Sequence, residues 1–397
     1  MEGAEGTVLR RDPAALSAIV SLVAQGTATS RSDIARHTGL ARSTVSQRVE
    51  QLLDLGLLVD AGRSPSRGGR PPVSLSLNPR AGVLLSADVG ASHVRMALSD
   101  LGASLLAELS EPMDVNDGAQ AVLGQVWAGF RELLAETGND VTDVRGVGLG
   151  MPGPVEFATG TVVRPPIMAG WDGYRVPGYF VDLLDAPVIV DNDVNIMALG
   201  EYWARQDVEY LLYVKVGTGI GCGIISEGHL HRGTDGAAGD IGHIQLPGHE
   251  STRCHCGNTG CVEAVASGSA LVRALSQQGL DVSDSHDVVR LAEDGNVLAR
   301  HAVREAGQHI GEVLASLVSF YNPAAIVLGG ALAQVSEELL ASIRGVVYRR
   351  ALPLATRNLR METSRLGPQA GVLGATVLTL QHVLSPAGLA TLLRATI

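Results

Sequence analysis

Apolar positions fall into helical spacing soon after the start of the chain. From Pro13, the residues Leu16, Ile19, Val20, Leu22 and Val23 form one stripe, and Gly26 closes the helix they predict. The first ten residues show no pattern and are expected to be mobile. Ser30 opens a short helix with Asp33 as a capping-box-like partner, and Ile34 and Ala35 face inward. Thr38-Gly39-Leu40 supplies a tight turn. The next helix runs from about Ala41 to Asp54, with Val45, Val49, Leu52 and Leu53 on its buried side. Leu57-Leu58-Val59 and Val73 to Leu77 then alternate as strands around the loop GRSPSRGGRPP. The pattern over residues 1–80 is a winged helix-turn-helix.

From residue 81 the periods alternate between two and 3.6, as in an α/β body. Val83 to Asp88 and Val94 to Leu98 read as a hairpin, Ala119 to Thr137 as an amphipathic helix, and Val144 to Gly150 as a strand. Val188 to Val190 is a buried strand, with a helix beginning near Ile196. Leu211 to Val216 and a partner running through Ile225 follow. Helices are predicted over about 270–278, 285–294 and 298–320, with Asn322-Pro323 as a break. A strand over Ala325 to Leu328, another helix, a strand near 359–363 and a small-residue helix over 371–380 complete the body.

The polar face of the second head helix gives that head its chemistry. It presents Arg42, Ser43, Thr44, Gln47 and Arg48. Arginine can bridge guanine O6 and N7, glutamine can bridge adenine, and hydroxyls suit phosphates. The wing loop adds Arg63, Arg67 and Arg70 and no acid. Extended Gly-Arg-Pro backbone is slim enough for a minor groove, so Arg67 and Arg70 are DNA candidates, with Arg70 inserted where A·T pairs narrow the groove. The same stretch also suits an interdomain linker.

Charge agrees with this division. The chain carries a formal −11, yet residues 1–80 hold ten Arg against seven Asp and Glu, leaving −14 on the rest. A basic piece on an acidic body suggests that one end meets nucleic acid. No apolar run approaches eighteen residues and no basic-then-apolar leader opens the chain, which predicts neither a membrane span nor secretion. Four cysteines, three of them clustered, suit a reducing cytoplasm. Cys222 stands alone in a glycine-rich run and is expected to be a small packed residue.

The cluster is Cys254-x-Cys256-x4-Cys261, with His243 eleven residues ahead of it. Three thiolates and one imidazole can close a tetrahedron around zinc, and Gly257 and Gly260 permit the tight turns this needs. His249 and His255 are also within reach, so residue types leave the fourth ligand open among three histidines. Asp240 and Glu263 flank the cluster. Elsewhere, Asp88-Val-Gly90-Ala-Ser92 places a carboxylate and free N–H groups where a phosphate or Mg²⁺ would sit. Asp191-Asn192-Asp193-Val194-Asn195 lies between a strand end and a helix start, where open α/β sheets place chemistry. Gly217-Thr218-Gly219 begins a glycine-rich hairpin able to approach an anion closely, and Gly329-Gly330 ends a later strand. Trp171 and Tyr174 suit either stacking on a sugar or packing at the core or rim.

GDIGHI, then CxCGxxGCxE, then the segment Ala264 to Leu271 resemble the signature of the ROK family (repressor, open reading frame, kinase). The resemblance covers essentially all of 81–397. It implies a two-lobed actin/hexokinase-like (ribonuclease H-like) body with a structural zinc loop over 243–261, in which His243, Cys254, Cys256 and Cys261 hold the metal. His243, Asp240 and Glu263 then contact a sugar, although the family's kinases usually carry Glu where Asp240 stands. Asn192 and Asp193 match the family's NDxN motif, which makes Asn192 a sugar ligand and Asp193 the general base of a kinase. Asp88, Gly90 and Ser92 match its first phosphate loop, with the second glycine, Thr and Lys of the kinases replaced by Ala91, Ser92 and His93. Gly217, Thr218 and Gly219 match the second phosphate loop, and Gly329 and Gly330 the adenosine side.

The reading is therefore a winged helix-turn-helix at 1–80 followed by a ROK body at 81–397. It is that of a sugar-responsive repressor that binds operator DNA as a homodimer or homotetramer, with a monosaccharide as effector and zinc as a structural ion. The rival reading is an ATP-dependent sugar kinase using Mg²⁺.

Overall fold

The computed structural model describes residues 12–63, 73–205, 207–335 and 337–395. The N-terminal stretch expected to be mobile, and the wing tip with Arg67 and Arg70, lie outside the described residues.

The head is α1 (Pro13–Ala24), α2 (Arg31–Thr38), α3 (Arg42–Asp54), β1 (Leu58–Arg63) and β2 (Val73–Leu77). Its helix starts follow from capping chemistry. The Asp12 carboxylate accepts the N–H groups of Ala14 and Ala15, and Ser30 both accepts from Asp33 N at 3.1 Å and donates to its carboxylate at 2.7 Å. Gly39, at φ 69°, ends α2 and makes the turn into α3. Strands β1 and β2 pair antiparallel, Leu58 opposite Leu77.

The body has two lobes of the same construction. The first contains β3 (Val83–Val89), β4 (His93–Asp100), β5 (Leu105–Pro112), α4 (Ala119–Thr137), β6 (Val144–Met151), the short pair β7 (Val155–Glu156) and β8 (Thr161–Val162), α5 (Pro177–Phe180), β9 (Val188–Asn192) and α6 (Asp193–Arg205). The second contains β10 (Leu211–Val216), β11 (Ile220–Ser226), β12 (His229–Leu230), α7 (Val262–Ala266), α8 (Gly268–Gln277), α9 (Ser285–Glu293), α10 (Val297–Tyr321), β13 (Ala325–Gly329), α11 (Glu337–Arg350), α12 (Pro353–Thr356) and β14 (Arg360–Thr363). Then α13 (Ala370–Val383) and α14 (Pro386–Ala395) return to the first lobe and the head.

The sheets run β5-β4-β3-β6-β9 and β12-β11-β10-β13-β14. In each, a three-strand antiparallel meander is followed by two strands parallel to the first of the meander. This duplicated order is the ribonuclease H-like arrangement expected for the body. It places the β3–β4 and β10–β11 turns at the cleft between lobes. Helices α6 and α13 cross there at small residues: a Cβ on Gly374 would lie 1.7 Å from the Ile196 carbonyl oxygen.

The structure differs from the sequence reading in detail. Helix α6 begins at Asp193, not near Ile196, so the Asp-Asn-Asp run spans the strand end and the first helical residue. β5 alternates half-buried and exposed positions at the sheet edge, which left only a weak signal. The head is not a free appendage. Leu16, Ile19 and Val20 share a core with Leu380, Val383, Leu384 and Leu389. No single helix among the described residues is long and apolar enough to cross a membrane.

Candidate functional site

The loop after β12 folds back on itself through bridges Gln245–Cys261 and Arg253–Thr259. Gly257 and Gly260, at φ 94° and 73°, make the reversals. The result brings one ligand atom each from His243, Cys254, Cys256 and Cys261 within 4.8 Å of one another. His243 Nδ1 lies 3.6 Å from Cys254 Sγ, and Cys256 Sγ 3.8 Å from Cys261 Sγ. A tetrahedron with metal–sulfur bonds of about 2.3 Å has edges of roughly 3.8 Å, so the donor set and its spacing fit one tetrahedral ion. Of the three histidines, His243 is the one that lies with the thiols. His249 instead packs its ring edge-on against His309, 4.7 Å between centroids, and His255 lies outside the four. Cys222 is buried on β11, and burial pushes its thiol up to about 12, as suits an inert packed residue.

His243 presents its other nitrogen away from the thiols, with Nε2 3.8 Å from Asp240 Oδ1. Asp240 is half exposed. Glu263, on α7 just beyond the last cysteine, accepts the Ile220 N–H at 3.0 Å. That bond fastens the metal loop to the Gly217–Gly219 turn, where a side chain on Gly219 would strike the same carboxylate.

On the opposite lobe, Asn192 donates to the Gly153 carbonyl at 3.1 Å and accepts from Val194 N at 3.0 Å. Asp193 is buried. Its Oδ1 accepts the Val194 N–H at 2.8 Å, and its Oδ2 forms an ion pair with Lys215. Asp191, also buried, accepts from Asn192 N, from Asn195 Nδ2 and from Arg232 Nε, and the Arg232 guanidinium stacks over Phe157 at 3.7 Å. Arg232 comes from the second lobe and both of its partners from the first, so it ties the lobes together beside the cleft.

In the turn between β3 and β4, Gly90 N donates to His93 O at 2.8 Å, with Ser92 exposed. Asp88 is buried on β3, and its Oδ1 accepts no hydrogen bond among the described residues. Burial, partly offset by the Lys215 charge, raises its carboxyl to about 7. In the turn between β10 and β11, Gly217 N donates to Gly219 O at 3.0 Å. Gly330, at φ 86°, lies against the Val216 backbone.

Asn192, Asp193, Asp240, His243 and Glu263 line one cavity of about 1350 Å³ together with Asp88, Gly90, Ser92, Gly217, Thr218, Gly219, Gly329 and Gly330. Trp171 is not in it. Trp171 is fully buried and donates to the Val115 carbonyl at 2.9 Å, with Tyr174 edge-on against it, so these aromatics pack the first lobe. The residues missed from sequence are Lys215 and Arg232; Asp191, read as part of the polar cluster, had been given no role of its own. A lone lysine in the otherwise apolar strand Leu211–Val216 was the available signal for the first.

On the head, Arg42, Ser43 and Gln47 are exposed along α3 and Thr44 is half-buried. Arg48 is half-buried and donates to Gln51 at 2.9 Å. An ion pair from Arg31 to Glu50 at 2.7 Å fixes α2 against α3.

The sequence profile of the ROK family matches residues 84–382, and that of the IclR helix-turn-helix domain matches residues 16–61. A putative xylose repressor of Caldicellulosiruptor sp. (strain Rt8B.4) is 29% identical over 371 residues, which covers 90% of this chain and 92% of that protein. A glucokinase of Halalkalibacterium halodurans is 31% identical over 311 residues, 74% of this chain and 94% of the kinase. Among solved structures, a ROK family transcriptional regulator described as a homolog of the E. coli MLC protein superimposes with a TM-score of 0.81 at 26% identity, covering 96% of this chain and 98% of the other.

Proposed function

Because this chain belongs to the ROK family and carries an IclR-type helix-turn-helix ahead of the family body, we propose that it is a sugar-responsive DNA-binding transcriptional regulator, a repressor of carbohydrate uptake or catabolism genes. The observation that carries the reading is the single core shared by α1 of the head and α13 and α14 of the body. A change in the cleft is thus mechanically linked to the DNA-reading helix. Similarity to a putative xylose repressor along nearly the whole of both chains supports the same reading.

The head, ending near residue 80 between β2 and β3, binds operator DNA. Arg42, Ser43, Thr44, Gln47 and Arg48 read or steady the major groove, and Arg67 and Arg70 serve in the wing. The body from about residue 81 takes a monosaccharide against Asn192, Asp193, Asp240, His243 and Glu263. Zinc on His243, Cys254, Cys256 and Cys261 is structural; it would fix His243 and, through α7, Glu263. Two-fold operators call for a homodimer or homotetramer, and a coupling free energy on the order of 1–3 kcal/mol suffices for the switch. Three clustered free thiols fit a cytoplasmic protein.

A thermal-shift screen of monosaccharides and their phosphates, with and without MgATP, tests the effector site. One sugar raising the melting temperature is the expected result; no shift from any of them contradicts the roles given to Asn192, Asp193, His243 and Glu263.

One observation favours a second reading, an ATP-dependent sugar kinase. Asp193 stands where a general base would act, facing the glycine loop, and the glucokinase is 31% identical. ADP release that depends on sugar and is abolished in Asp193→Asn would establish it.

A further inference from the structure

The cleft presents two buried carboxylates to the same cavity, Asp88 at the end of β3 and Asp193 at the start of α6. In a phosphate-binding cleft such a pair would ordinarily be matched by a hydrated divalent cation, which needs ionised oxygen ligands free to face it. The residues here do not fit that ion. Both oxygens of Asp193 are engaged, one by the Val194 N–H and the other by the Lys215 ammonium. Asp88 has its Oδ2 packed against α13, where a Cβ on Gly371 would come within 2.0 Å of it, and its Oδ1 accepts nothing among the described residues.

Lys215 is the cation that the chain itself supplies. Its stem runs beside Gly217, so the ammonium lies next to the second glycine loop. Its side chain is a fifth exposed, while that of Asp193 is almost wholly enclosed. The Lys215 charge also acts on Asp88 and on His93 of the first loop, where Arg95 adds a second positive charge. A divalent ion arriving between Asp88 and Asp193 would meet that ammonium, an arginine and, of those two carboxylates, only one that is uncommitted.

We propose that Lys215 is a built-in monovalent cation that takes the place of a divalent metal ion in this cleft, so that the site binds a metal-free polyhydroxylated sugar and not a metal–nucleotide complex. This rests on the family reading above and sharpens it: Lys215 is a specificity-determining residue that keeps the site a binder. A sugar hydroxyl entering beside Asp193 finds an ammonium donor and a carboxylate acceptor already paired. Each Asp193 oxygen already accepts one hydrogen bond, so a hydroxyl proton must compete for the remaining lone pairs, which disfavours general-base catalysis.

The test is Mn²⁺ titration of the full-length, zinc-loaded chain, read by the electron paramagnetic resonance of free Mn²⁺. The wild-type cleft is expected to take up none, and Lys215→Arg, which keeps the charge, is expected to match it. Lys215→Met is expected to gain one Mn²⁺ per chain, at least about 100-fold tighter than wild type, and Lys215→Met combined with Asp88→Asn to lose it. Zinc content and circular dichroism confirm that each variant is folded. Stoichiometric Mn²⁺ uptake by the wild type that is lost in Asp88→Asn overturns the proposal, and so does a folded Lys215→Met that gains no site. Operator binding by the head does not pass through Lys215, so either result would leave the regulatory reading to its own assay.

Discussion

The Ser17 hydroxyl donates to the Leu384 carbonyl oxygen at 2.7 Å, a buried bond between residues 367 positions apart in the chain. Ser17 lies on α1 of the head. Leu384 ends α13, whose first turn holds Gly371 against Asp88 in the cleft. Fourteen helical residues span about 21 Å, so one rigid helix joins Asp88 in the cleft to the helix-turn-helix head. Ser17→Ala leaves that carbonyl buried without its partner, at a cost of about 1–3 kcal/mol. Chemical denaturation should show the loss, and the operator affinity should respond less to the effector sugar than in the wild type.

The metal cluster predicts one zinc per chain by elemental analysis. Cys261, fully buried, is the most constrained ligand. Cys261→Ser should lose the metal, lower the melting temperature and weaken sugar binding, because His243 and Glu263 would no longer be held in place. Cys222→Ser should keep the zinc, since Cys222 lies outside the cluster.

Asp88 gives a pH dependence. Burial raises its folded-state carboxyl to about 7 from its ordinary value of 3.8. With the folded value above the unfolded one, the folded state binds the extra proton between the two. The associated stability is present in full below the unfolded value and is lost as pH rises through 7. Relative to Asp88→Asn, the wild type should therefore lose about 2 kcal/mol between pH 5.5 and 8. Paired urea denaturations at the two pH values measure this; an unchanged difference would mean that Asp88 is ionised throughout.

For the head, Arg42→Ala should cost about 1–3 kcal/mol at a cognate operator and relax base choice. Arg70→Ala should weaken binding most at sites with A·T-rich flanks. Fluorescence anisotropy on operators with exchanged flanks separates the two effects, and an unchanged affinity of Arg70→Ala at A·T-flanked sites removes the minor-groove role.

Much of this architecture was legible in the sequence because the signals were local. Ser30 with Asp33, Gly39, and the stripe Val45, Val49 and Leu52 fix the head, and the cysteine spacing marked three members of the cluster that could hold a metal ion. Spacing alone did not single out a histidine, since His243, His249 and His255 are equivalent by residue type; the family resemblance pointed to His243, and the Gln245–Cys261 and Arg253–Thr259 bridges bring that one beside the thiols. Tertiary pairs were equally hidden. Lys215 meets Asp193, and Arg232 reaches Asp191, across the boundary between lobes. No periodicity within one segment encodes such contacts. The docking of α1 on α14 was illegible for the same reason, since an amphipathic stripe shows that a face is buried but not against what.

One chain is expected to read DNA and a sugar together. The most direct measurement is selection of bound sequences from randomised duplex DNA by the full-length protein, followed by affinity for the enriched site with each of a panel of monosaccharides. The expected result is a two-fold-symmetric site, lost in Arg42→Ala, whose affinity falls in the presence of one sugar and does not change with that sugar in Asp193→Asn. No enrichment beyond the Arg42→Ala control, or an enriched site whose affinity no sugar alters, would contradict it.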